Sequence, residues 1–259
     1  MLPLSDHDLR RGGGRVSGMQ TFAEYAHRIV RFRHMDFEYA LWLMANLCLS
    51  PRTAFRTTLY HSRTKHQWAR DDPAFVVVLL YLLLVAAIAW SLAFAQRTPL
   101  EVICLYLYVA LVDFLLLGAA LASAGWWVSN NYLLSNTAPT SGWGGATAPE
   151  RKEYVEWLYA FDVHCNALLP VYLLLHVVQY LLLPVLLRPG ILPCLLSNSL
   201  FAGAFSIYHY LTFLGYSELP FLHRCECFIY PIALVLVAFV LSLPLKFNCS
   251  ATVAYIYFG

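Results

Sequence analysis

The chain has 259 residues, 60% of them hydrophobic and 12% charged, with a formal net charge of +2. A soluble domain carries about 25% charged residues, so this chain has too little polar surface to solvate a globule of its size. An ordinary soluble protein is excluded, and the composition is that of an all-α polytopic membrane protein.

Residues 1–19, "MLPLSDHDLRRGGGRVSG" and Met19, lack the apolar stretch of about 7–15 residues that a secretory signal needs and are expected to form a disordered tail. The first 73 residues hold 11 of the 17 Lys and Arg against 7 acidic residues. Within them, residues 20–73 are expected to form basic amphipathic, interfacial helices. Phe22, Tyr25, Ala26 and Ile29 make a stripe at helical spacing beside Arg28, Arg31 and Arg33. Such a helix suits the surface of an anionic leaflet. Further on, "MDFEYALWLMANLCLSP" offers Asp36 as an N-cap, an apolar run from Tyr39 to Leu49 and a Ser-Pro stop. It is too short to cross a hydrocarbon core about 30 Å thick, which predicts a helix lying at the interface.

"QWARDDPAF", residues 67–75, opens the first long apolar run. Asp72 before Pro73 fits an N-cap followed by a first-turn proline, and Asp71 suits the positive end of the helix dipole. Five transmembrane helices are expected, at about 74–95, 100–128, 158–187, 191–214 and 228–247. Each must be helical because lipid offers the backbone no hydrogen-bond partner. Residues 129–157 form a flexible loop that includes the Gly/Pro/Ser-rich "SNTAPTSGWGGATAP", and residues 248–259 a C-terminal tail.

Lys and Arg cluster before span one (Arg52, Arg56, Arg63, Lys65, Arg70), in the loop after span two (Arg151, Lys152) and before span five (Arg224). The other connections hold Arg97, Arg188 and Lys246. This bias places the N-terminus in the cytosol and the C-terminus in the lumen. Asn248-Cys249-Ser250 then becomes a candidate glycosylation sequon. Cys225 and Cys227 in "HRCEC" are candidate palmitoylation sites. Seven scattered cysteines make no disulfide framework.

Ionisable groups inside spans are costly and face the bundle interior. Asp113 lies in span two, and Gly118, Ala119, Ala122 and Ser123 follow as small residues that permit close helix contact. Its partner is expected to be a His, Tyr or Asn. In span three, Asp162 and Asn166 share a face, His164 points away, and His176 and Gln179 follow Pro170. Asp113, Asp162, His164, Asn166 and His176 form a candidate buried polar cluster. It is open to two descriptions: a metal site, proton relay or substrate pocket, or simply polar clasps between helices. No catalytic motif such as His-Glu-x-x-His, Gly-x-Ser-x-Gly or a Walker loop is present. No cofactor or metal is expected.

Four segments, "FRHMDFEYALW" (32–42), "QWARDDPAF" (67–75), "YAFDVHCNALLP" (159–170) and "YLTFLGYSELPFL" (210–222), resemble the uncoordinated-fifty (UNC fifty) family of eukaryotic Golgi membrane proteins. The resemblance runs over about residues 29–245 in order. It implies a five-span, non-enzymatic trafficking protein of the Golgi membrane, with the inner nuclear membrane as a second location. It further implies recruitment of a guanine-nucleotide exchange factor for Arf GTPases and surface delivery of nicotinic acetylcholine receptors. The loop at 135–149 is longer and less basic than is usual in that family. On this basis Arg70, Asp71, Asp72, Tyr216 and Glu218 are candidates for partner contact. Two alternatives stand beside this expectation. One is a transporter or intramembrane enzyme using the buried Asp and His residues. The other is an RNA-binding membrane protein, for which the excess of basic charge is mild and no RNA-recognition motif is seen.

Overall fold

Long apolar runs bounded by prolines, capping residues and the Arg188-Pro189-Gly190 break fold into helices that pair antiparallel with their chain neighbours. A computed structural model describes residues 35–57, 68–70, 72–94, 98–135 and 153–258. Helix α1 is Phe37–Leu49, and residues 51–57 are also helical. The five helices long and apolar enough to span a membrane are α2 (Ala74–Ala93), α3 (Pro99–Leu133), α4 (Trp157–Leu186), α5 (Ile191–Ser217) and α6 (Cys225–Ser242). Helix α7 is Cys249–Phe258. The expected tail 1–19, the basic stripe at 22–29, Asp71 and the Gly/Pro/Ser-rich loop from 136 lie outside the described residues.

Local chemistry sets the ends. Asp36 caps α1 by accepting from the Tyr39 amide at 2.9 Å. Thr98 and Glu101 form a reciprocal capping box at the start of α3, with Pro99 in the first turn. Gly190, at φ 136, makes the reversal into α5 that a side chain would resist. In α4 a π-helical turn, Leu173–Val178, begins three residues past Pro170, whose missing N–H removes one rung of the ladder. In α3 the π-helical stretch Val109–Leu116 contains Asp113.

The core centres on α4. Every residue from Leu158 to Ala167 is buried, between α3 on one side and α5 on the other, with α1 against the same helix. Glycines allow that closeness. A Cβ on Gly118 would meet His164 Nε2 at 2.6 Å, and one on Gly125 would collide with Tyr216 Oη. Helix α6 is peripheral: none of Pro231–Ser242 is buried, and its Leu and Val side chains face outward, as a lipid-facing helix requires.

Two glycines of α5 should respond oppositely to alanine. A Cβ on Gly215 would sit 2.8 and 2.9 Å from the two γ-methyls of Val163, a stiff β-branched side chain, with Phe55 at 3.3 Å beyond. Gly215→Ala is expected to destabilise by about 1–3 kcal/mol. Gly203 has nothing within 4 Å, so Gly203→Ala should stabilise by up to about 1 kcal/mol through helix propensity alone. Thermal unfolding in detergent reads both, and equal signs would refute the close α4–α5 contact.

The C-terminal segment differs from the tail expected of it. It folds back as α7 onto α5 and the end of α4. Phe258 stacks on Phe94 at 4.4 Å and on Trp90 at 6.2 Å, while Ser250 and Ala254 are buried. Ten apolar residues are too few to cross a bilayer, but enough to pack against α5, the end of α4 and the aromatic side chains at the end of α2.

Candidate functional site

The four sequence segments that carry the family resemblance meet at one end of the bundle, the end where α2 begins. Asp36 and Asp72 link two helix starts. The Asp36 amide donates to Asp72 Oδ2 at 2.7 Å, and Asp72 Oδ1 accepts from the Ala74 amide at 2.9 Å. Next to them, the Arg70 amide donates to Asp162 Oδ2 at 2.7 Å, and its Nη2 lies 3.2 Å from Asp162 Oδ1. The same Nη2 donates to the Asp162 carbonyl at 3.4 Å, and the guanidinium lies 4.3 Å over the Phe75 ring. Ala69 N donates to Glu156 Oε2 at 3.1 Å.

This arrangement ties α2 to α4 through an ion pair whose side chains are 11% and 5% exposed. The 210–222 segment joins through Trp68, edge-on to Phe221 at 5.6 Å. It continues into an antiparallel bridge between Leu134 and Leu222, with Ser135 N donating to Phe221 O at 3.0 Å and His223 N to Leu133 O at 2.8 Å. Asn130 completes the closure by exchanging both of its amide bonds with the Val155 backbone, at 2.9 and 3.0 Å.

The partner-contact candidates therefore separate. Arg70 points inward to Asp162 and is held there by charge and by the Phe75 face, so it organises the end and does not offer a free guanidinium. Tyr216 is 1% exposed and stacked on Phe228 at 4.3 Å, where no partner reaches it. Asp72, expected as the N-cap, lies one residue before it: Pro73 is the N-cap of α2, and Asp72 accepts from the Ala74 amide while binding the Asp36 amide. Glu218 is half-buried beside the turn that follows α5. The surface itself is made by Asn131, Tyr132, Glu153, Tyr154, His223, Arg224 and Glu226, all exposed. Arg224 adopts the left-handed conformation, φ 59, which turns the chain into α6.

The buried polar residues do not share one site. Asp162 belongs to Arg70. His164 Nδ1 lies 2.8 Å from the Tyr208 hydroxyl of α5. His176 stacks on Tyr172 at 5.1 Å, and its carbonyl accepts from Trp90 Nε1 at 3.2 Å. Asn166 is buried at 4% exposure within the same helix. Asp113 accepts from the Tyr257 hydroxyl of α7 at 2.6 Å. Burial raises the Tyr257 phenol above its ordinary value, and the bond to Asp113 adds to this, so it remains a donor. Among the described residues no three His, Cys, Asp or Glu are grouped to hold a metal. Arg70–Asp162, His164–Tyr208 and Tyr257–Asp113 are separate pairwise clasps between segments, whereas the His176 ring stacks within α4.

Two modification candidates are corrected. Asn248 Nδ2, the atom a glycan would need, donates to Leu186 O at 2.8 Å, and its Oδ1 accepts from the Ala251 amide at 3.1 Å. Ser250 is fully buried and bonded to Ser197 at 2.7 Å, so the sequon serves as the cap of α7. Cys225 is buried, which closes its thiol to acylation, whereas Cys227 is half-buried.

Three residues gained weight only in space: Tyr208, Tyr257 and Asn198. Asn198 Nδ2 donates to Ser242 Oγ and to Phe247 O, each at 2.7 Å, and its Oδ1 accepts from Cys249 N at 3.0 Å. A lone Asn in an apolar span was the available signal for it.

The sequence model of the UNC-50 family matches residues 25–258. Among curated relatives, a Dictyostelium discoideum protein named as an unc-50 homolog is 39% identical over 236 residues, covering 91% of this chain and 87% of the relative. The human unc-50 homolog is 39% identical over 236 residues, covering 90% and 86%. Caenorhabditis elegans unc-50 is 37% identical over 244 residues, covering 94% and 76%. No solved structure matches.

Proposed function

Because this chain belongs to the UNC-50 family, we propose that it is a non-enzymatic Golgi membrane protein of vesicle-mediated trafficking. In this reading the α2-start end faces the cytosol and α7 the lumen. The cytosolic end recruits a guanine-nucleotide exchange factor for Arf GTPases, and nicotinic acetylcholine receptor subunits are among the cargo whose surface delivery depends on it.

The observation that carries this reading is the closure of four distant segments around Arg70 and Asp162 into one ordered end. Ordered scaffolding beneath exposed polar and aromatic side chains suits a docking surface, because little conformational freedom is lost on binding. The separate pairing of Asp113, Asp162 and His164 with protein partners favours this over a transporter or intramembrane enzyme, which needs its polar groups convergent on substrate. RNA binding has less support, since the exposed charges at this end are of both signs.

The test replaces surface side chains and leaves the scaffold alone. Arg224→Glu with Glu226→Lys should leave the protein at the Golgi while reducing exchange-factor recruitment there several-fold. Unchanged recruitment, with expression and location intact, would overturn the reading.

A further inference from the structure

We infer that the outer face of α1 and the helical stretch after it is a membrane-binding surface that lies in the bilayer leaflet at the Arg70 end and engages anionic phospholipid headgroups. Helix α1 buries Ala40, Leu43, Met44 and Leu47, and it packs on α2 and α4. Its opposite face is exposed: Leu41, Trp42, Ala45, Cys48 and Leu49, the last at 84%. Helical spacing makes these one stripe of α1; Ser50, at φ -147 and ψ 66, breaks the helix, and the helical stretch after it carries Arg52 and Arg56, both exposed. Five exposed apolar side chains are thus followed, past the break, by two exposed guanidinium groups one turn apart.

Three observations select lipid as what covers this face. The start of α1 is bonded to the start of the spanning helix α2 through Asp36 and Asp72 at 2.7 Å, so α1 cannot leave the bilayer surface. No charged residue occurs from Tyr39 to Pro51, and the one amide side chain there, Asn46, donates back to Trp42 O at 2.8 Å. A helix apolar on both faces, with its polar groups satisfied internally, suits a core on one side and acyl chains on the other. Finally, tryptophan and arginine are residue types favoured at the headgroup level, and the exposed Trp42, Arg52 and Arg56 of this segment supply both, the arginines complementing anionic lipid in charge. The acidic side chain of this helix, Glu38, is in the first turn, remote from them.

The inference needs bilayer placement alone and stands whether or not exchange-factor recruitment is found. It is tested on the full chain in lipid nanodiscs, one copy per disc. A fluorescent amino acid replaces Leu49, or Leu181 as a lipid-facing control that is 71% exposed in α4. The quenchers are phosphatidylserine or phosphatidylcholine with a nitroxide high on the acyl chain, and a water-soluble nitroxide. The expected result is quenching at position 49 by both lipids and not by the soluble agent. Phosphatidylserine should be preferred by about fivefold for each arginine, and the preference should vanish in Arg52→Gln/Arg56→Gln. Quenching at 49 by the soluble agent, while 181 responds to lipid, overturns leaflet insertion. Equal quenching by the two lipids in the native chain overturns headgroup recognition.

Discussion

Arg70→Ala is expected to lower the stability of the folded chain by about 3–5 kcal/mol, the usual cost of removing one partner of a buried pair. Much of that cost lies in what is left behind. Asp162 is 3% exposed, and without the guanidinium its carboxylate keeps the Arg70 backbone N–H but loses the Arg70 charge. Arg70→Lys should recover only part of the loss. An ammonium cannot lie flat over Phe75 while it donates to Asp162, as the planar guanidinium does. The sharper result comes from the double variant. Arg70→Met with Asp162→Leu should be more stable than either single change, because no uncompensated charge is then buried. Thermal unfolding of the detergent-solubilised protein measures the series. A single-variant loss below about 0.5 kcal/mol would mean that the pair behaves as an exposed, screened one. The surface proposed for partner docking would then lack its scaffold.

Asn198→Leu is expected to cost about 2–4 kcal/mol and to release α7 from the bundle. Leucine is close in volume, so packing changes little. The Cys249 amide then loses its acceptor, and Phe247 O and Ser242 Oγ each lose a donated hydrogen bond. Each polar group left unpaired in a dry site costs about 1–3 kcal/mol, although Cys194 Sγ and Phe239 O still serve two of them. Ser197 and Ser250 remain to hold α7 at one point. A protease site placed after residue 258 should become cleavable from the α7 side of sealed vesicles many times faster than in the native chain. Unchanged cleavage together with unchanged stability would show that Asn198 is not what holds α7 to the bundle.

Much of the architecture was legible before any coordinates. The five spans follow from apolar length, because hydrocarbon permits few alternatives to a helix. The boundaries found for α2 and α5 lie within three residues of those expected. Asp36 was recognisable as a cap from its place before an apolar run, and it accepts the expected bond. Asp113 invited a partner on another helix, with tyrosine among the types considered. The partner is a tyrosine, but it comes from residues 249–258, which the hydropathy rule sets aside because ten residues cannot cross a bilayer.

What the sequence determined by itself is therefore the number of spans, their helical state and the resemblance to the UNC-50 family. All three depend on local order along the chain: apolar length, capping residues and motif spelling. Only the tertiary structure decided that Arg70 faces Asp162 across 92 positions, that Tyr216 is interior, and that the Asn248 sequon is a helix cap. The difference is physical. Lipid acts on each segment as a solvent, so the partition is written locally. A buried polar group is satisfied by whichever donor the packing of helices brings within 3 Å, and no pattern along one helix specifies which group that will be.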